Sequence, residues 1–481
     1  MSQRNMILGT AAMAAGNAVR FLLQLLAIPI VARFLGPSSY GLVALASPFF
    51  YFLLLFGDLG LGATLVRAQA LSKRQESSVF WAIFTIASGL AALLVAAAYP
   101  LGRSLGQPEI SPLLLGFAPI FLIAAAGVVP SARLQRGGRF RTVALIDTLA
   151  ASIGVCVAII GALRGWGPWA LVAQQWAFWA VKVLSVIGAT RFYPILAFDR
   201  QAVGSSLHFG SAIVGSSVAS FLGANLDNIL IGTILGPAKL GLYAIGYQIV
   251  NIPGMVLGAV HYSLMPAVAA AQHKGISLEK TYIEALRLML LVAVPALAGL
   301  AVTADLLIAL FFGESWIGMR TLIWLLAPLG IINTIFILNG AMMLGAGRSG
   351  VEFWTTIMRT AAAAAGIITG IFWGSQGVAC GISAAAAFSG FFYMRMVLRI
   401  CGISAFRVLE AASIPLMAGA AMGAAVIFAR GALLDGLAPS VGLPLSILLG
   451  AAVYFLALFF LSRERFVQDI VTVRVLIANK P

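Results

Sequence analysis

Charged side chains are scarce in this sequence. Asp, Glu, Lys and Arg make up 9% of the 481 residues, and the acidic residues number only 15. A soluble domain of average composition carries roughly 25% charged residues. This scarcity excludes an ordinary soluble domain, which needs a charged surface toward water on every side.

The short motifs that accompany catalysis are also missing. The sequence contains no nucleophile elbow, no HExxH metal motif, no Walker sequence and no DxD-like pair in a loop. No connection between apolar segments is long enough to form a folded domain outside the membrane. We therefore expect a protein that is not an enzyme. Any transport has to run on gradients or on substrate turnover, since the chain has no Walker motif for ATP.

Cysteines are few as well, and they form no pattern. Cys156, Cys380 and Cys401 lie inside or at the edge of apolar runs, their number is odd, and no CxxC pair occurs. We interpret them as small packing residues and not as a disulfide framework or a metal site. No cofactor is expected.

Apolar residues, by contrast, make up 61% of the chain. Runs of about 20 apolar residues recur from end to end, which is the length a helix needs to cross a bilayer. Backbone polar groups in lipid must be bonded internally, and the runs are too continuous for barrel strands. We predict an all-α polytopic membrane protein with fourteen spans, the first of them retained and not a signal peptide. The predicted spans are 7–32, 41–66, 79–99, 112–131, 143–163, 168–189, 207–233, 239–263, 283–304, 318–346, 353–373, 376–398, 411–430 and 441–461.

Basic residues are distributed unevenly over the connections. With the N-terminus in the cytoplasm, most Lys and Arg fall on the cytoplasmic side, as the positive-inside rule requires. We therefore expect both termini to be cytoplasmic. The net charge of +15 then lies mainly beside anionic membrane lipids, which are the expected partners of these charges. Basic residues scattered over short loops do not form a nucleic-acid-binding surface, so no nucleic acid is expected.

One stretch of sequence recurs at an offset of 200 residues. The motif "LGPSSYGLVALA" occupies residues 35–46, and "LGPAKLGLYAIG" occupies residues 235–246. A match of this length can arise by chance in a chain rich in Gly, Ala and Leu, but both copies close one predicted span and open the next. Pro37 and Pro237 would break a continuing helix, and the glycines permit a tight turn, so we predict a turn in each copy. Six predicted spans separate the copies, so they have the same orientation. We predict a parallel repeat, related by a pseudo-two-fold axis along the membrane normal.

The repeat predicts the organisation of the chain. Residues 1–200 form an N-lobe of spans 1–6, residues 201–405 form a C-lobe of spans 7–12, and residues 406–481 hold spans 13 and 14 and a cytoplasmic tail. In two-lobed transporters the substrate site lies between the lobes, which rock against each other. We expect the linker at about 191–206 to absorb this motion, since it contains Pro194 and Gly204.

Three polar residues of span 1 share one helical face. Asn17, Arg20 and Gln24 are spaced three and four residues apart. Ionisable groups in lipid are costly and usually face a cavity or a partner. We predict that this face is the cationic wall of a substrate cavity. The alternative is helix–helix hydrogen bonding, with Arg20 tied to a neighbouring carboxylate.

Span 7 carries the corresponding face of the C-lobe. Ser216, Ser220 and Asp227 lie on it, and Ser220 is the counterpart of Arg20 in the repeat. We assign these three residues to the substrate cavity as well. For Asp227, pairing with a cation or contact with water near the end of the span are the alternatives.

Other polar residues within spans allow two interpretations each. Arg359 in span 11 is a candidate for substrate contact, but an ion pair with Glu352 is equally compatible with their spacing. For Lys182 in span 6 the alternatives are contact with the cavity and extension of its ammonium group to the nearby cytoplasmic interface, and we favour the second. Asp58, in "FGDLGLG", is interpreted as a structural or conformational residue more than a ligand-binding one, because the glycines beside it allow close helix packing.

Several motifs, in their order along the chain, carry a family resemblance. They are "ARFLGPSSYGLVALA", "FGDLGLGATLVR", "VVPSARLQRGGRFRTVALID", "GWGPWALVAQQ", "NLDNILIGTILGPAKLGLYAIGYQIVNIPG" and "LMPAVAA". Together they cover spans 1–8, whereas spans 9–14 match in hydropathy. The chain resembles the polysaccharide transporter family, the Wzx-type flippases of the multidrug/oligosaccharidyl-lipid/polysaccharide (MOP) superfamily.

This resemblance implies a fold and a substrate. The fold is a bundle of twelve core helices in two lobes with two additional helices, in a bacterial inner membrane. The substrate is an undecaprenyl-pyrophosphate-linked oligosaccharide, flipped from the cytoplasmic to the periplasmic leaflet for exopolysaccharide, capsule or O-antigen synthesis. A polysaccharide polymerase and export machinery are then the expected partners. A pyrophosphate suits the bidentate chemistry of arginine, here Arg20 and Arg359.

Three alternatives remain at this point. A cation-coupled drug exporter of the same superfamily would favour buried acids, which are few in these spans. A lipid II flippase would use the same anion chemistry with a different sugar. A membrane enzyme such as a polysaccharide polymerase would need a reaction site outside the membrane, and this chain has only short loops.

Overall fold

The computed structural model describes residues 3–67, 72–196, 199, 221, 223–274, 277–434 and 436–461. Within these ranges the chain is almost entirely helical and contains no strand. Eleven helical stretches in the described ranges are long and apolar enough to cross a membrane. The predicted fold class, an all-α polytopic membrane protein, is confirmed.

Packing divides the chain into two compact units, Met1–Gly241 and Leu242–Pro481. The helices that lie wholly in the first unit are α1 (Gln3–Leu54), α2 (Leu61–Arg67), α3 (Lys73–Ser104), α4 (Ile110–Phe117), α5 (Ile120–Arg136), α6 (Phe140–Leu163) and α7 (Trp169–Thr190). Helical residues 223–230 and a π-helical turn, Ile231–Leu235, follow in the same unit.

Helix α8 (Pro237–His273) begins at the end of the first unit and continues into the second. The later long helices are α9 (Leu278–Val302), α10 (Met319–Gly345), α11 (Ser349–Gly370), α12 (Gly374–Cys401), α13 (Ala405–Ala429) and α14 (Pro439–Leu461). The lobe boundaries drawn from the repeat stay a prediction.

Two of the eleven apolar stretches are too long for one crossing. Gly16–Leu54 has 39 residues and is interrupted at Gly36, and Ser349–Cys401 has 53 residues and is interrupted at Gly374. Since one crossing takes about 20 residues, each stretch corresponds to two predicted spans. Predicted span 7 (207–233) lies largely outside the described residues, so the total of fourteen spans stays a prediction.

Both copies of the repeated motif turn at a glycine. Gly36 has φ 71° and ψ 166°, and Gly236 has φ 87° and ψ 165°. Glycine adopts a positive φ at little cost. In each copy the helix resumes at the following proline, Pro37 or Pro237, where a missing N–H group is not needed. The turn predicted from the motif is present in both copies.

The two copies also pack against each other within the first unit. A Cβ atom at Gly41 would collide with the carbonyl oxygen of Pro237, and one at Gly241 would collide with the carbonyl oxygen of Pro37. Each contact is the other one with the two copies exchanged, as a two-fold axis between the copies would produce. Both glycines are required because the backbones touch. This reciprocal contact fits a two-fold repeat, and the parallel orientation of that repeat stays a prediction.

Predicted span 2 (41–66) is not one continuous helix, and that expectation was wrong. Helix α1 ends at Leu54, and α2 begins at Leu61. Asp58 lies in the break, where its Oδ1 accepts a hydrogen bond from the Gly60 N–H group at 3.0 Å. Aspartate favours such local turns over helix interiors because its side chain bonds the nearby backbone.

A buried carboxylate at the start of α3 binds two arginines at the end of α5. Glu76 is 3% exposed, Arg133 forms an ion pair with its Oε2, and Arg136 contacts its Oε1 at 2.8 Å. The guanidinium of Arg133 also lies over the Phe192 ring, 4.5 Å from its centroid. From the sequence, the basic residues of the connections, these two arginines among them, were expected only to set the topology. The structure shows that they also join two helices.

The chain that follows α7 is hydrogen-bonded to α3. The Ile195 N–H group donates to the Ser77 hydroxyl at 3.1 Å, and the Asp199 N–H group donates to the Ser78 hydroxyl at 2.7 Å. Both serines are fully buried. The predicted flexible linker (191–206) is therefore fixed to α3 in its first half, and its second half lies outside the described residues.

We expect Glu76→Gln to lower the apparent Tm of the purified protein by several degrees. A hydrogen bond to a charged group contributes about 1.5–3 kcal/mol to stability. The loss in the variant is smaller than this for each bond, because the two arginines are each 27% exposed and water replaces part of the lost interaction. Thermal unfolding in detergent checks this expectation. Glu109→Gln is the matched control, since Glu109 is exposed and makes no side-chain cap. Equal melting temperatures for the two variants would show that the Glu76 cluster contributes no stability.

An ion pair in the second unit joins the end of α13 to the segment after α9. Asp305 Oδ2 accepts a hydrogen bond from Arg430 Nη2 at 2.6 Å. Burial acts to raise the pKa of Asp305, but the hydrogen bond and charge of Arg430 outweigh it and hold that pKa below its ordinary value. The carboxylate therefore stays ionised at neutral pH and holds the two segments together.

Candidate functional site

The polar face of span 1 has no protein partner among the described residues. Asn17 and Gln24 are exposed, and Arg20 is half-buried. In the described part of the chain, none of these three side chains makes a hydrogen bond or an ion pair. The alternative in which a neighbouring carboxylate holds Arg20 therefore finds no such group among the described residues. A guanidinium group left without a partner within an apolar helix is costly unless water or a ligand reaches it.

Helix α1 contacts α6 one helical turn before Arg20, on the same side of the helix as Arg20. A Cβ atom at Gly16 would lie 3.2 Å from Ala144 Cβ and 3.2 Å from Thr148 Oγ1. Helix α1 thus packs closely on α6 through a small residue, the usual way in which membrane helices approach each other.

The predicted polar face of span 7 is described only in part. Ser216 and Ser220 lie outside the described residues. Asp227 is 6% exposed, and its Oδ1 accepts a hydrogen bond from the Asn228 N–H group at 2.8 Å. Because Asp227 is buried, the alternative interpretation, a carboxylate in contact with water at the end of the span, is disfavoured. Its role in substrate binding stays a prediction.

Arg359 lies in a compensated cluster of the second unit. Its Nη2 contacts Glu352 Oε1 at 3.4 Å and the Thr356 hydroxyl at 3.1 Å. The guanidinium lies over the rings of Phe336 and Tyr393, at 4.5 and 5.1 Å from their centroids. The ion-pair interpretation of the sequence is therefore observed, and a substrate contact would require this pair to open.

Lys182 of α7 pairs with a carboxylate of α6. Its Nζ lies 2.9 Å from Asp147 Oδ1, and it is 5.6 Å from the ring centroid of Trp179. The structure gives Lys182 a carboxylate partner on the adjacent helix, and the expectation that it extends to the interface stays a prediction. Asp147 had not been recognised as its partner, although the sequence "ALID" contains an acid within span 5.

A cavity of about 350 Å³ lies inside the first unit between α2, α5 and α7. Its polar lining consists of Asp58, Ser131, Gln135, Trp179 and Lys182. Ser131 and Gln135 are one helical turn apart on α5, a spacing that was visible in "PSARLQRGG" but was not singled out. In the part of the chain that the structure describes, no group of three His, Cys, Asp or Glu side chains could hold a metal ion.

The fold and these polar groups within spans define a class of protein: a multi-pass helical membrane transporter. The chain belongs to the polysaccharide biosynthesis protein family, whose sequence profile matches residues 30–321. The resemblance noted from the motifs is thereby confirmed. The expectation that the chain is a transporter and not an enzyme is confirmed by the relatives that follow.

Named relatives cover most of the chain. It is 29% identical over 359 residues to the succinoglycan biosynthesis transport protein ExoT of Rhizobium meliloti (strain 1021), with 74% of this chain and 72% of ExoT covered. It is 24% identical over 347 residues to the lipopolysaccharide biosynthesis protein WzxC of Escherichia coli (strain K12), with 70% and 69% covered.

Two solved structures show the fold. The lipid II flippase MurJ in an inward closed conformation superposes with a TM-score of 0.72 at 14% identity, covering 95% of this chain and 99% of MurJ. An inward-facing multidrug resistance MATE transporter of the MOP superfamily superposes with a TM-score of 0.59 at 17% identity, covering 81% and 98%. At these identities the likeness concerns the fold alone.

Proposed function

We propose that this protein flips an undecaprenyl-pyrophosphate-linked oligosaccharide repeat unit from the cytoplasmic to the periplasmic leaflet of a bacterial inner membrane. Family membership and the transport relative ExoT support a role in polysaccharide export. The observation that carries the proposal is Arg20, a cation within an apolar helix that has no partner among the described residues. Such a group is suited to a phosphate ligand.

The physical problem of flipping is the charged headgroup. The hydrocarbon layer is about 30 Å thick, and an unpaired anion inside it carries a prohibitive desolvation cost. A fixed cation that faces either side in turn removes much of that cost. The polyprenyl tail needs no such help and stays in the bilayer while the headgroup moves through a polar cavity.

The two candidate arginines have different roles in this proposal. Arg20 is available to a pyrophosphate at once, with Asn17 and Gln24 beside it as hydrogen-bond donors. Arg359 is held by Glu352 at 3.4 Å, so it contacts substrate only in a conformation that releases the pair. Ser216, Ser220 and Asp227 complete the proposed cavity from the C-lobe, and alternating access of the two lobes moves the substrate.

Three carboxylates of the described spans are already paired with cations, which argues against a cation-coupled drug exporter. Glu76 binds two arginines, Asp147 binds Lys182, and Glu352 binds Arg359. Each of these acids already has a cationic partner, whereas a site for cationic drugs needs acids that are free to bind them. A lipid II flippase would use the same arginine chemistry, and the two glycolipids have to be separated by experiment.

We expect deletion of the gene in its host to abolish surface polysaccharide and to accumulate a polyprenyl-pyrophosphate-linked oligosaccharide. The synthesis of this lipid is intact in the mutant, but its transfer is blocked. Mass spectrometry of lipid extracts gives the measurement. Lipid II levels and drug susceptibility, measured in the same cells, are expected to stay unchanged. Accumulation of lipid II would show that the protein is a lipid II flippase instead. Drug hypersensitivity with normal surface polysaccharide would show that it is a drug exporter.

The proposed topology places both termini in the cytoplasm. The arginines and lysines of the short connections then face the anionic lipids of the cytoplasmic leaflet. A polysaccharide polymerase and export machinery would receive the flipped unit on the periplasmic side.

A further inference from the structure

The cavity in the first unit is lined by more polar groups than its protein contacts use. Asp58 Oδ1 accepts the Gly60 N–H group, but Asp58 Oδ2 has no donor among the described residues. In the same described ranges, the Ser131 hydroxyl, the Gln135 amide and the Trp179 indole N–H group form no hydrogen bond. These four residues are half-buried, so their polar groups are open to water or to a ligand that enters the cavity.

Serines of neighbouring helices, unlike Ser131, form hydrogen bonds to their own helix. Ser77 and Ser78 of α3 each donate to the carbonyl oxygen four residues earlier, at 2.8 Å. Ser152 of α6 does the same at 2.9 Å. Ser131 does not, although it has the same local option. Four polar groups with unused bonding capacity therefore converge on one cavity.

The local backbone gives the Asp58 carboxylate room in this cavity. Asp58 lies in the break between α1 and α2, so its side chain is not part of a helix. A Cβ atom at Gly62 would lie only 2.9 Å from Asp58 Oδ2. Any larger residue at position 62 would therefore displace the carboxylate.

The charges of the lining do not favour an anion as its occupant. Asp58 is the one acid and Lys182 the one base among the lining residues. Lys182 is already held by Asp147 at 2.9 Å and does not attract an anion strongly. A neutral ligand rich in hydroxyl groups fits better, because each hydroxyl can donate to a carboxylate and accept from an amide or indole.

We propose that this cavity binds one sugar ring of the transported glycan. Asp58 and Gln135 bond the ring hydroxyls, Trp179 presents an aromatic surface to the apolar face of the ring, and Ser131 completes the set. The volume of about 350 Å³ lies at the small end of ligand sites, which span about 300–1,000 Å³. The inference rests on the proposed function, because the glycan supplies the ring.

A cysteine placed in the wall of the cavity tests this site. Ala63 lines the cavity and contributes none of the four polar groups, so Ala63→Cys is introduced into the full chain after replacement of Cys156, Cys380 and Cys401 by serine. The probe is the repeat-unit oligosaccharide released by mild acid from lipid extracts of the host, at millimolar concentration. We expect it to slow labelling of the introduced thiol by N-ethylmaleimide at least threefold, whereas sorbitol at the same concentration has no effect.

Two substitutions separate recognition from structure. Asp58→Asn keeps an oxygen that accepts the Gly60 N–H group, so the turn stays intact while the charge is lost. We expect it to weaken the protection about tenfold, as loss of a hydrogen bond to a charged group does. Trp179→Leu should remove the protection as well. Trp354→Leu is the matched control, because Trp354 is 68% exposed on α11 and is not part of this lining.

Glycan export in cells distinguishes failure of this site from failure of the proposed function. If the wild-type chain exports glycan but the oligosaccharide does not protect the introduced thiol, the sugar site is wrong and the flippase proposal stands. If the Asp58→Asn variant and the Trp179→Leu variant both export glycan normally, the sugar site is also wrong. If export does not depend on the wild-type chain, the proposed function itself fails.

Discussion

Replacing Arg20 with alanine is expected to abolish glycan export while the amount of protein in the membrane stays unchanged. Arg20 has no partner among the described residues, so its loss leaves no protein group unpaired. The pyrophosphate, in contrast, loses its counter-charge in a low dielectric. Losing one partner of a hydrogen-bonded charge pair costs about 2–5 kcal/mol, which is at least about thirtyfold in rate. Quantified surface polysaccharide and an immunoblot of the membrane fraction give the two readouts.

Two further variants show whether the effect belongs to the charge at this position. Arg20→Lys keeps a point charge but loses the bidentate geometry, and partial export is expected. Arg141→Ala removes an exposed arginine in the first turn of α6, and near-normal export is expected. Normal export by Arg20→Ala, or an equal loss in Arg141→Ala, would remove Arg20 from the proposed site.

Linking the two copies of the repeated motif is expected to stop transport. Ser38 and Ala238 are both exposed, and each follows the proline that contacts the other copy of the motif, Pro37 or Pro237. In the proposed topology this contact lies on the periplasmic side and has to open when substrate leaves. A bis-methanethiosulfonate reagent applied to Ser38→Cys/Ala238→Cys, in a chain without native cysteines, fixes the contact closed.

Reduction and single-cysteine variants are the controls for this experiment. Export should return when the reagent is removed by a thiol, and each single-cysteine variant should export normally after the same treatment. Full export by a chain shown on a gel to be cross-linked would mean that the two copies never separate there. Alternating access through this contact would then be excluded.

Local sequence patterns were sufficient to predict several features. The apolar runs predicted the fold class because bilayer crossing imposes length and composition on each helix. The glycine–proline pairs at Gly36 and Gly236 predicted the turns because few residues adopt a positive φ. The face of Arg20 followed from helical spacing alone. These features depend on neighbours within a few residues.

Features that depend on distant partners could not be predicted. The pairing of Glu76 with Arg133 joins residues 57 positions apart, and no local pattern identifies that partner. The same holds for Lys182 and Asp147, which meet only after α6 and α7 have packed. The break at Asp58 was missed because an aspartate among glycines fits both a kinked helix and a turn.

The leaflet in which the glycolipid accumulates tests the central proposal most directly. In a strain that lacks this gene, spheroplasts and inside-out membrane vesicles are treated with periodate, which oxidises sugars but does not cross the membrane. The lipid-linked oligosaccharide is then analysed by mass spectrometry. The proposed flippase activity predicts that the oligosaccharide is oxidised in the vesicles and protected in the spheroplasts. When the wild-type gene is restored in a strain without polymerase, the oligosaccharide in the spheroplasts should become oxidised. Oxidation in the spheroplasts of the deletion strain would show that the glycolipid crosses without this protein, and would contradict the proposal.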